Sequence, residues 1–357
     1  MNATASAAVS VLARPFARIP EATRRRIALL VLVVCALAFP IVHTNDADID
    51  SMANAAAYAT LALGLNIVVG FAGLLDLGYA AFFALGAYTS AFFMVNYHMS
   101  FWVTIPIAAC FTAASGVIIG APTLRMRSDY LAIVTLGFGE IVRIAATNFR
   151  FTGGPEGIYG IPHAKLGAFV LRSPTSLYFL GVAFALVVLL GSYNLSRSRL
   201  GRAWLAIRED EAAAQAAGIH PVYFKLLAYV LGAIFAGAAG SFFAVKLTAI
   251  NPSSFTFLQS VTILMVVILG GRGSLPGVVV GAAVIIILPE ILRGIDQYRM
   301  LAFGIGLIVL MLLRPQGLWP SRYGRIEARA VAMSEAEAAA GVGGASAADS
   351  AASGGSA

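Results

Sequence analysis

The sequence predicts an all-α, polytopic membrane protein, a helical bundle with about eight to ten transmembrane segments. Of its 357 residues, 59% are hydrophobic and only 11% are charged. The mean hydropathy is +0.85, and the apolar residues form long runs separated by short polar stretches. A spanning helix needs roughly 20 mostly apolar residues, and open strands cannot cross hydrocarbon with unpaired backbone groups. The spanning elements are therefore helices, and the bilayer is their solvent.

Ten apolar segments follow one another along the chain. Several are short or interrupted by glycine, which predicts broken helices or half-helices packed inside protein. A glycine-rich stretch at 64–91 resembles another at 269–283 in composition and setting, which predicts two pseudo-repeated halves. The ten segments lie at about 26–43, 52–73, 77–96, 101–122, 129–147, 176–195, 223–247, 258–271, 276–292 and 299–314.

Basic residues set the predicted topology, because cytoplasmic loops carry an excess of Lys and Arg. With ten segments counted, the arginine-rich stretches fall on one side, which places both termini in the cytoplasm. We expect a cytoplasmic N-terminal segment 1–25, a transmembrane domain 26–320 and a largely disordered, Ala/Gly/Ser-rich cytoplasmic tail 321–357. Arg24 to Arg26 resemble the start of a cleavable signal, but the apolar stretch after them favours an uncleaved first helix. The arginines that oppose the rule are Arg150, Arg172, Arg293 and Arg299.

Composition and motifs argue against several functional classes. The formal net charge of +7 comes from basic residues at the ends of apolar segments, not along one face, so no nucleic-acid partner is expected. The four histidines lie far apart, and Cys35 and Cys110 both fall in apolar segments, so we expect no metal site, catalytic group or cofactor. The chain also lacks a phosphate-binding loop. Any nucleotide-driven energy must come from another chain.

Few ionisable residues lie inside the apolar segments, and each needs a partner, a cavity or an interface. Glu140 and Arg143 are three residues apart and could pair with each other or face a substrate. Asp76 follows a glycine-rich stretch and could cap the next helix, which we favour over a proton relay. The recurring glycines indicate tight helix packing, or an unwound helix between Gly70 and Gly78 that borders a pathway.

The loop 196–222 concentrates charge between two apolar segments on the cytoplasmic side. Its stretch "GRAWLAIREDEAAAQAAGI" (201–219) predicts one short helix, which ends at Gly218 before Pro221. Trp204, Leu205 and Arg208 would share one side of that helix. Such a helix is either an ordinary solvated loop or an element suited to a groove on a cytoplasmic partner.

This stretch resembles the EAA-type cytoplasmic loop of ABC importer permeases, in particular the branched-chain amino-acid permeases of the LivH/LivM type. Five further stretches resemble the LivM branch of that family, in the family's order, so the resemblance covers about residues 50–320. They are "LNIVVGFAGLLDLGYAAFFALGAYTSA" (65–91), "SDYLAIVTLGFGEIVR" (128–143), "TGGPEGI" (152–158), "ILGGRGSLPGVVVGA" (268–282) and "RPQGL" (314–318).

The resemblance implies a multi-pass permease subunit of the bacterial inner membrane that is not itself an enzyme. Its partners would be two cytoplasmic ATPase subunits, a second LivH-like permease subunit and a periplasmic substrate-binding protein. The implied ATPase-coupling residues are Arg202, Arg208, Glu209, Asp210, Glu211, Ala212, Ala213 and Gly218. The translocation path would be bordered by Asn66, Gly70, Gly73, Asp76, Gly78, Thr135, Glu140 and Arg143. Thr152, Gly153 and Gly154 could contact the binding protein or form a structural turn.

The sequence leaves alternatives open for the transported solute and for the energy source. We expect uptake of branched-chain amino acids, while permeases for urea or short amides share these motifs. An ion-coupled secondary carrier, with Glu140 or Asp76 carrying a proton, is the third possibility. Dependence on a separate ATPase distinguishes the first two from the third.

Overall fold

The computed structural model describes residues 21–42, 45–124, 128–167 and 169–291, together with 304, 305, 308, 312 and 317–319. In these ranges the chain forms eleven α-helices and four strands of two residues each. The helices are α1 (Glu21–Val42), α2 (Asp46–Leu65), α3 (Tyr79–Asn96), α4 (Phe101–Thr123), α5 (Ser128–Asn148), α6 (Pro174–Arg197), α7 (Arg199–Glu209), α8 (Glu211–Ala216), α9 (Pro221–Leu247), α10 (Phe257–Gly270) and α11 (Leu275–Ile291). The strands are β1 (Ile158–Tyr159), β2 (Lys165–Leu166), β3 (Phe169–Val170) and β4 (Ala249–Ile250).

The helical membrane bundle is confirmed. Seven helical stretches among the described residues are long and apolar enough to cross a bilayer: α2 with its extension to Phe71, α3, α4, α5, α6, α9, and α10 with the short turn before it. Helices α1 and α11 contain shorter apolar stretches. Nine of the ten predicted segments therefore correspond to helices. The tenth, 299–314, lies outside the described residues apart from four isolated positions, as do residues 1–20 and the tail from 320 onward.

Helix α2 begins earlier than its predicted segment. The sequence "NDADID" (45–50) reads as a polar loop, yet the helix starts at Asp46, six residues before the expected limit. Asn45 caps it, because its side-chain oxygen accepts a hydrogen bond from the Ala47 amide at 3.3 Å. Asp46 and Asp48 in the first turn add negative charge where the helix dipole favours it. Capping extends the helix beyond its apolar part.

Helix α9 is the central element of the bundle and packs against α2, α3 and α4. A Cβ on Gly86 of α3 would collide with the carbonyl of Gly237 on α9, so these two backbones touch directly. Gly240 faces the carbonyl of Phe83 in the same way. The tight-packing interpretation of these glycines is confirmed. Helices α3 and α9 consequently form one closely joined pair.

The two ends of α9 carry different structures. At one end, which we call the loop end, α7 and α8 connect α6 to α9. At the other, the strand end, β4 pairs with β1 in antiparallel register, with Ile250 opposite Ile158. Strands β2 and β3 form a separate hairpin there. The indole nitrogen of Trp102 at the start of α4 holds this hairpin by donating to the Lys165 carbonyl at 2.8 Å.

Candidate coupling site and translocation path

The charged loop between α6 and α9 contains two helices, so the prediction of one short helix over 201–219 is wrong. Helix α7 ends at Glu209, and Asp210 adopts an extended conformation with φ −152°. Its carboxylate accepts a hydrogen bond from the Ala213 amide at 3.0 Å and caps α8. An aspartate that can bond to amides ahead of it competes with helix continuation, which explains the break. Gly218, with φ +84°, ends α8 as expected.

The apolar side of α7 faces its own chain. Trp204 is fully buried, and its indole nitrogen donates to the Phe224 carbonyl of α9 at 2.7 Å. The expectation that this side of the helix inserts into a partner's groove is therefore wrong for Trp204. An amphipathic helix first covers the apolar surface available within its own chain. Trp204 instead attaches α7 rigidly to the first turn of α9.

Arg208 also points into the bundle. Its guanidinium Nη1 donates to the Gly70 carbonyl at 2.6 Å. Its side-chain carbons lie against Gly73, where a Cβ would come within 2.8 Å of the Arg208 Cγ. Gly73 has φ +73°, a left-handed conformation that glycine adopts readily. The loop thus contacts the end of α2 through one long side chain.

The remaining residues of the predicted coupling set lie on the exposed side of the loop. Glu211 is half exposed and forms an ion pair with Lys225 of α9, with an N–O distance of 2.6 Å. The Lys225 side chain is only 10% exposed. This pair gives α8 a polar attachment to α9 next to that of Trp204. The exposed members of the set are Arg202, Glu209, Asp210, Glu211, Ala212, Ala213 and Gly218.

The end of α2 is unwound, as one of the two interpretations of its glycines predicts. A π-helix covers Asn66–Phe71, and the chain then runs without helical structure to Gly78 before α3 begins. The Asn66 side chain is fully buried, and its Oδ1 accepts a hydrogen bond from the Gly273 amide at 2.8 Å. A Cβ on Gly70 would come within 2.6 Å of that same nitrogen. The two glycine-rich stretches, 64–91 and 269–283, therefore meet at their breaks; their internal symmetry stays a prediction.

Asp76 stabilises the turn that leads into α3. Its Oδ1 accepts a hydrogen bond from the Gly78 amide at 2.8 Å, just before α3 begins. The amide of Leu77, between these two residues, donates to Thr135 Oγ1 of α5 at 3.1 Å. A Cβ on Gly78 would collide with the Thr135 carbonyl. Asp76 is fully buried, and its Oδ2 has no hydrogen-bond partner among the described residues. The Gly78 amide precedes α3, whose N-cap residue Gly78 has no side-chain capping bond, so Asp76 stabilises the turn before the helix and does not cap its free amides. Its other carboxylate oxygen faces the bundle interior.

Glu140 and Arg143 pair with each other. The Arg143 Nε donates to Glu140 Oε2 at 2.8 Å along one face of α5. Their side chains are 36% and 34% exposed, so the pair lies at the surface of the described chain. The mutual pairing that the sequence allowed is confirmed; a role toward substrate stays a prediction.

The stretch "TGGPEGI" forms a compact turn at the strand end. Thr152 is buried, and its hydroxyl donates to the Ala146 carbonyl at 2.7 Å at the end of α5. Gly153 and Gly154 both have positive φ angles, of 80° and 65°. The structural interpretation of this stretch is thus supported for Thr152. Gly153 remains exposed, so a partner could still contact the turn there.

Comparison with known proteins places these features in a family. The family model for the permease component of branched-chain amino acid transport systems matches residues 49–313. The chain belongs to this family. It is 43% identical to the high-affinity branched-chain amino acid transport system permease protein LivM of Salmonella typhimurium, over 83% of this chain and 75% of that protein. The same-named protein of Escherichia coli is 42% identical over the same shares.

A more distant relative is the ribose import permease protein RbsC of Escherichia coli, 26% identical over 80% of this chain and 91% of that protein. No solved structure matches this permease.

Several residues of this permease contribute to the site without standing out in the sequence. Gly273 meets Asn66 across the bundle, Lys225 binds Glu211, and Ser260 of α10 accepts a hydrogen bond from the Ala80 amide at 2.9 Å. Lys225 did carry a signal, since a lysine four residues into an apolar helix needs a partner. Ser260 gave none, because a single serine in an apolar run is common in membrane helices.

Proposed function

We propose that this chain is the translocating subunit of a binding-protein-dependent ABC importer for branched-chain amino acids in the bacterial inner membrane. The observation that carries this proposal is the 43% identity to a LivM protein along 83% of the chain. The seven helices suited to a bilayer agree with it. As a permease, the chain provides the path and leaves ATP hydrolysis to its partners.

The exposed side of α7 and α8 is the proposed docking surface for two cytoplasmic ATPase subunits. It presents Glu209, Asp210 and Glu211 next to the small Ala212 and Ala213. Acidic groups beside alanines offer charge and close approach together. With the arginine-rich loops placed in the cytoplasm, the loop end is cytoplasmic, both termini lie in the cytoplasm, and the strand end faces the periplasm.

Motion passes from this surface to the path through Arg208. When the ATPase subunits close, α7 moves with them, and the Arg208–Gly70 hydrogen bond transmits that movement to the end of α2. The Asn66–Gly273 hydrogen bond extends it to the break between α10 and α11. Broken helices that meet at a pathway are suited to alternating access, because short segments can tilt without straining whole helices.

The path itself would run beside the unwound segment from Gly70 to Gly78. Three kinds of polar group there can bind a zwitterionic amino acid. They are the backbone groups outside helical structure, the free oxygen of Asp76, and the region of α5 around Thr135. Substrate would arrive at the strand end from a periplasmic binding protein, for which the exposed turn at Gly153 is a candidate contact. A LivH-like permease would complete the path.

Uptake measurements test this proposal. Labelled leucine and labelled urea, each at sub-micromolar concentration, are offered to cells with and without the gene. We expect loss of leucine uptake alone, and the uptake should vanish when the partner ATPases are inactivated. Loss of urea uptake alone, or transport by this chain in proteoliposomes without ATP, would contradict the proposal.

A further inference from the structure

Helix α5 has two sharply different faces. Of the seven membrane-length helices it is the least buried. Its inner face packs on the unwound segment: a Cβ added to Gly139 would lie 3.5 Å from the Gly78 Cα. Its outer face exposes Ile133 and Ile141 by about two thirds, and Gly137 between them has no atom within 4 Å of its Cβ position. The outer face therefore has no cover among the described residues.

At the edge of this outer face there is charge deep in the membrane, where Glu140 also lines a small cavity with Gly139 and Ser260. The described parts of the seven membrane-length helices contain few charged residues, and most of these lie near a helix end. Glu140 is the one among them that lies more than two turns from both ends of its helix. It is paired with Arg143, yet both side chains are about one third exposed. Of the five N–H donors of Arg143, the pair uses one.

Contact with lipid is unfavourable for the surface around the Glu140–Arg143 pair. An exposed charged pair in hydrocarbon is unfavourable, because its remaining donors and acceptors have no partner there. Helix α4 shows the contrast: its exposed side chains include Phe111, Val117 and Ile118, with Ile118 73% exposed, and none of them is charged. An apolar face of that kind suits lipid. The two neighbouring helices therefore face different surroundings.

We propose that the outer face of α5, formed by Ile133, Gly137, Ile141 and Ile144 with Glu140 at its edge, is the surface on which the second, paralogous permease subunit packs. The open space at Gly137 allows close approach of a partner helix, and the Glu140–Arg143 pair finds its missing hydrogen bonds in that subunit. The inference rests on the proposed function, from which it takes the presence of two permease subunits. Because the inner face of α5 contacts Gly78, this interface borders the path.

Site-specific photo-crosslinking tests the interface in the complete transporter. The photoreactive amino acid benzoylphenylalanine replaces Ile141, and in a matched variant it replaces Ile118, which is similarly exposed but lies on the apolar face of α4. The purified complex in lipid nanodiscs is irradiated, and products are identified by mass spectrometry. We expect a product with the paralogous permease from position 141 and only lipid adducts from position 118. Lipid adducts alone at position 141, a product within this chain such as one with its segment 299–314, or a product with a second copy of this chain or with the binding protein, would overturn the inference.

A second variant asks whether the charged pair serves the partner. Replacing both Glu140 and Arg143 with leucine makes the face apolar, which would favour contact with lipid. We expect co-purification of the paralogous permease to fall at least five-fold while the amount of this chain in the membrane stays constant. Unchanged co-purification would overturn the role of the pair. Leucine uptake by the unmodified complex is measured in parallel: its failure alongside a position-141 crosslink would refute the cargo and leave the interface standing.

Discussion

Arg208 gives the sharpest test of how the loop and the path are connected. Replacing Arg208 with methionine keeps a long, unbranched side chain but removes the guanidinium that donates to the Gly70 carbonyl at 2.6 Å. A hydrogen bond from a charged donor contributes about 1.5–3 kcal/mol. Since about 1.4 kcal/mol corresponds to a factor of ten, we expect leucine uptake to fall by roughly 10- to 100-fold if that energy supports the transport cycle.

The assay separates transmission from docking. Uptake is measured in cells, while co-purification of the ATPase subunits and their ATP hydrolysis are measured on the isolated complex. We expect the Arg208→Met complex to keep its ATPases and to hydrolyse ATP without matching transport. Arg199→Ala removes an exposed arginine nine residues earlier on the same helix and should leave uptake within two-fold. Loss of the ATPases from the Arg208→Met complex would refute the reasoning, because Arg208 would then act at the docking surface.

Further predictions concern individual contacts. Gly73→Ala should reduce uptake more than Gly160→Ala, because both glycines have φ near +70° but only Gly73 faces Arg208, so a comparison of the two in the uptake assay isolates the clash. Gly78→Ala should lower the thermal unfolding temperature of the detergent-solubilised complex more than Gly139→Ala, since its Cβ would meet the Thr135 carbonyl; equal shifts would count against that packing. Asp76→Asn keeps an oxygen for the Gly78 amide but loses the second oxygen that we place beside the path, so it should leave the amount of chain in the membrane unchanged and reduce uptake, whereas Asp76→Leu should also lose about 1 kcal/mol of turn stabilisation; full uptake by the asparagine variant would remove Asp76 from the path. Glu209→Lys should abolish ATPase co-purification while the chain stays in the membrane, and it is a cleaner change than Glu211→Lys, which would also oppose Lys225.

Local features of the fold could be predicted from the sequence. Nine apolar segments became helices because the bilayer demands length and apolar composition, both of which are visible in a single sequence. The Asp76–Gly78 hydrogen bond and the Glu140–Arg143 pair also depend on residues only two or three positions apart. The pair follows from helix geometry, and the Asp76 contact follows from the tendency of an Asp side chain to bond the amide two residues ahead of it.

The connections between those features could not be predicted. The Arg208–Gly70 hydrogen bond joins residues 138 apart in the chain, and the Asn66–Gly273 bond joins residues 207 apart. Which side of α7 faces inward depends on the surface that α9 and the end of α2 present to it, so Trp204 could not be assigned to its own chain in advance. The break at Asp210 likewise depends on which of two local bonding patterns the packed structure stabilises.

Because α3 and α9 are in direct backbone contact, the two helices can move together as one rigid unit. Helix α9 has 27 residues and is therefore about 40 Å long. One end is fastened to α7 and α8 through Trp204 and Lys225, and the other continues into β4, which pairs with β1. A tilt of about 5° at one end displaces the other by about 3.5 Å over this length. Under the proposed function, a movement imposed on the loop would therefore reach the opposite surface, and the nucleotide state of the ATPase subunits would alter the affinity for the substrate-binding protein through this one helix.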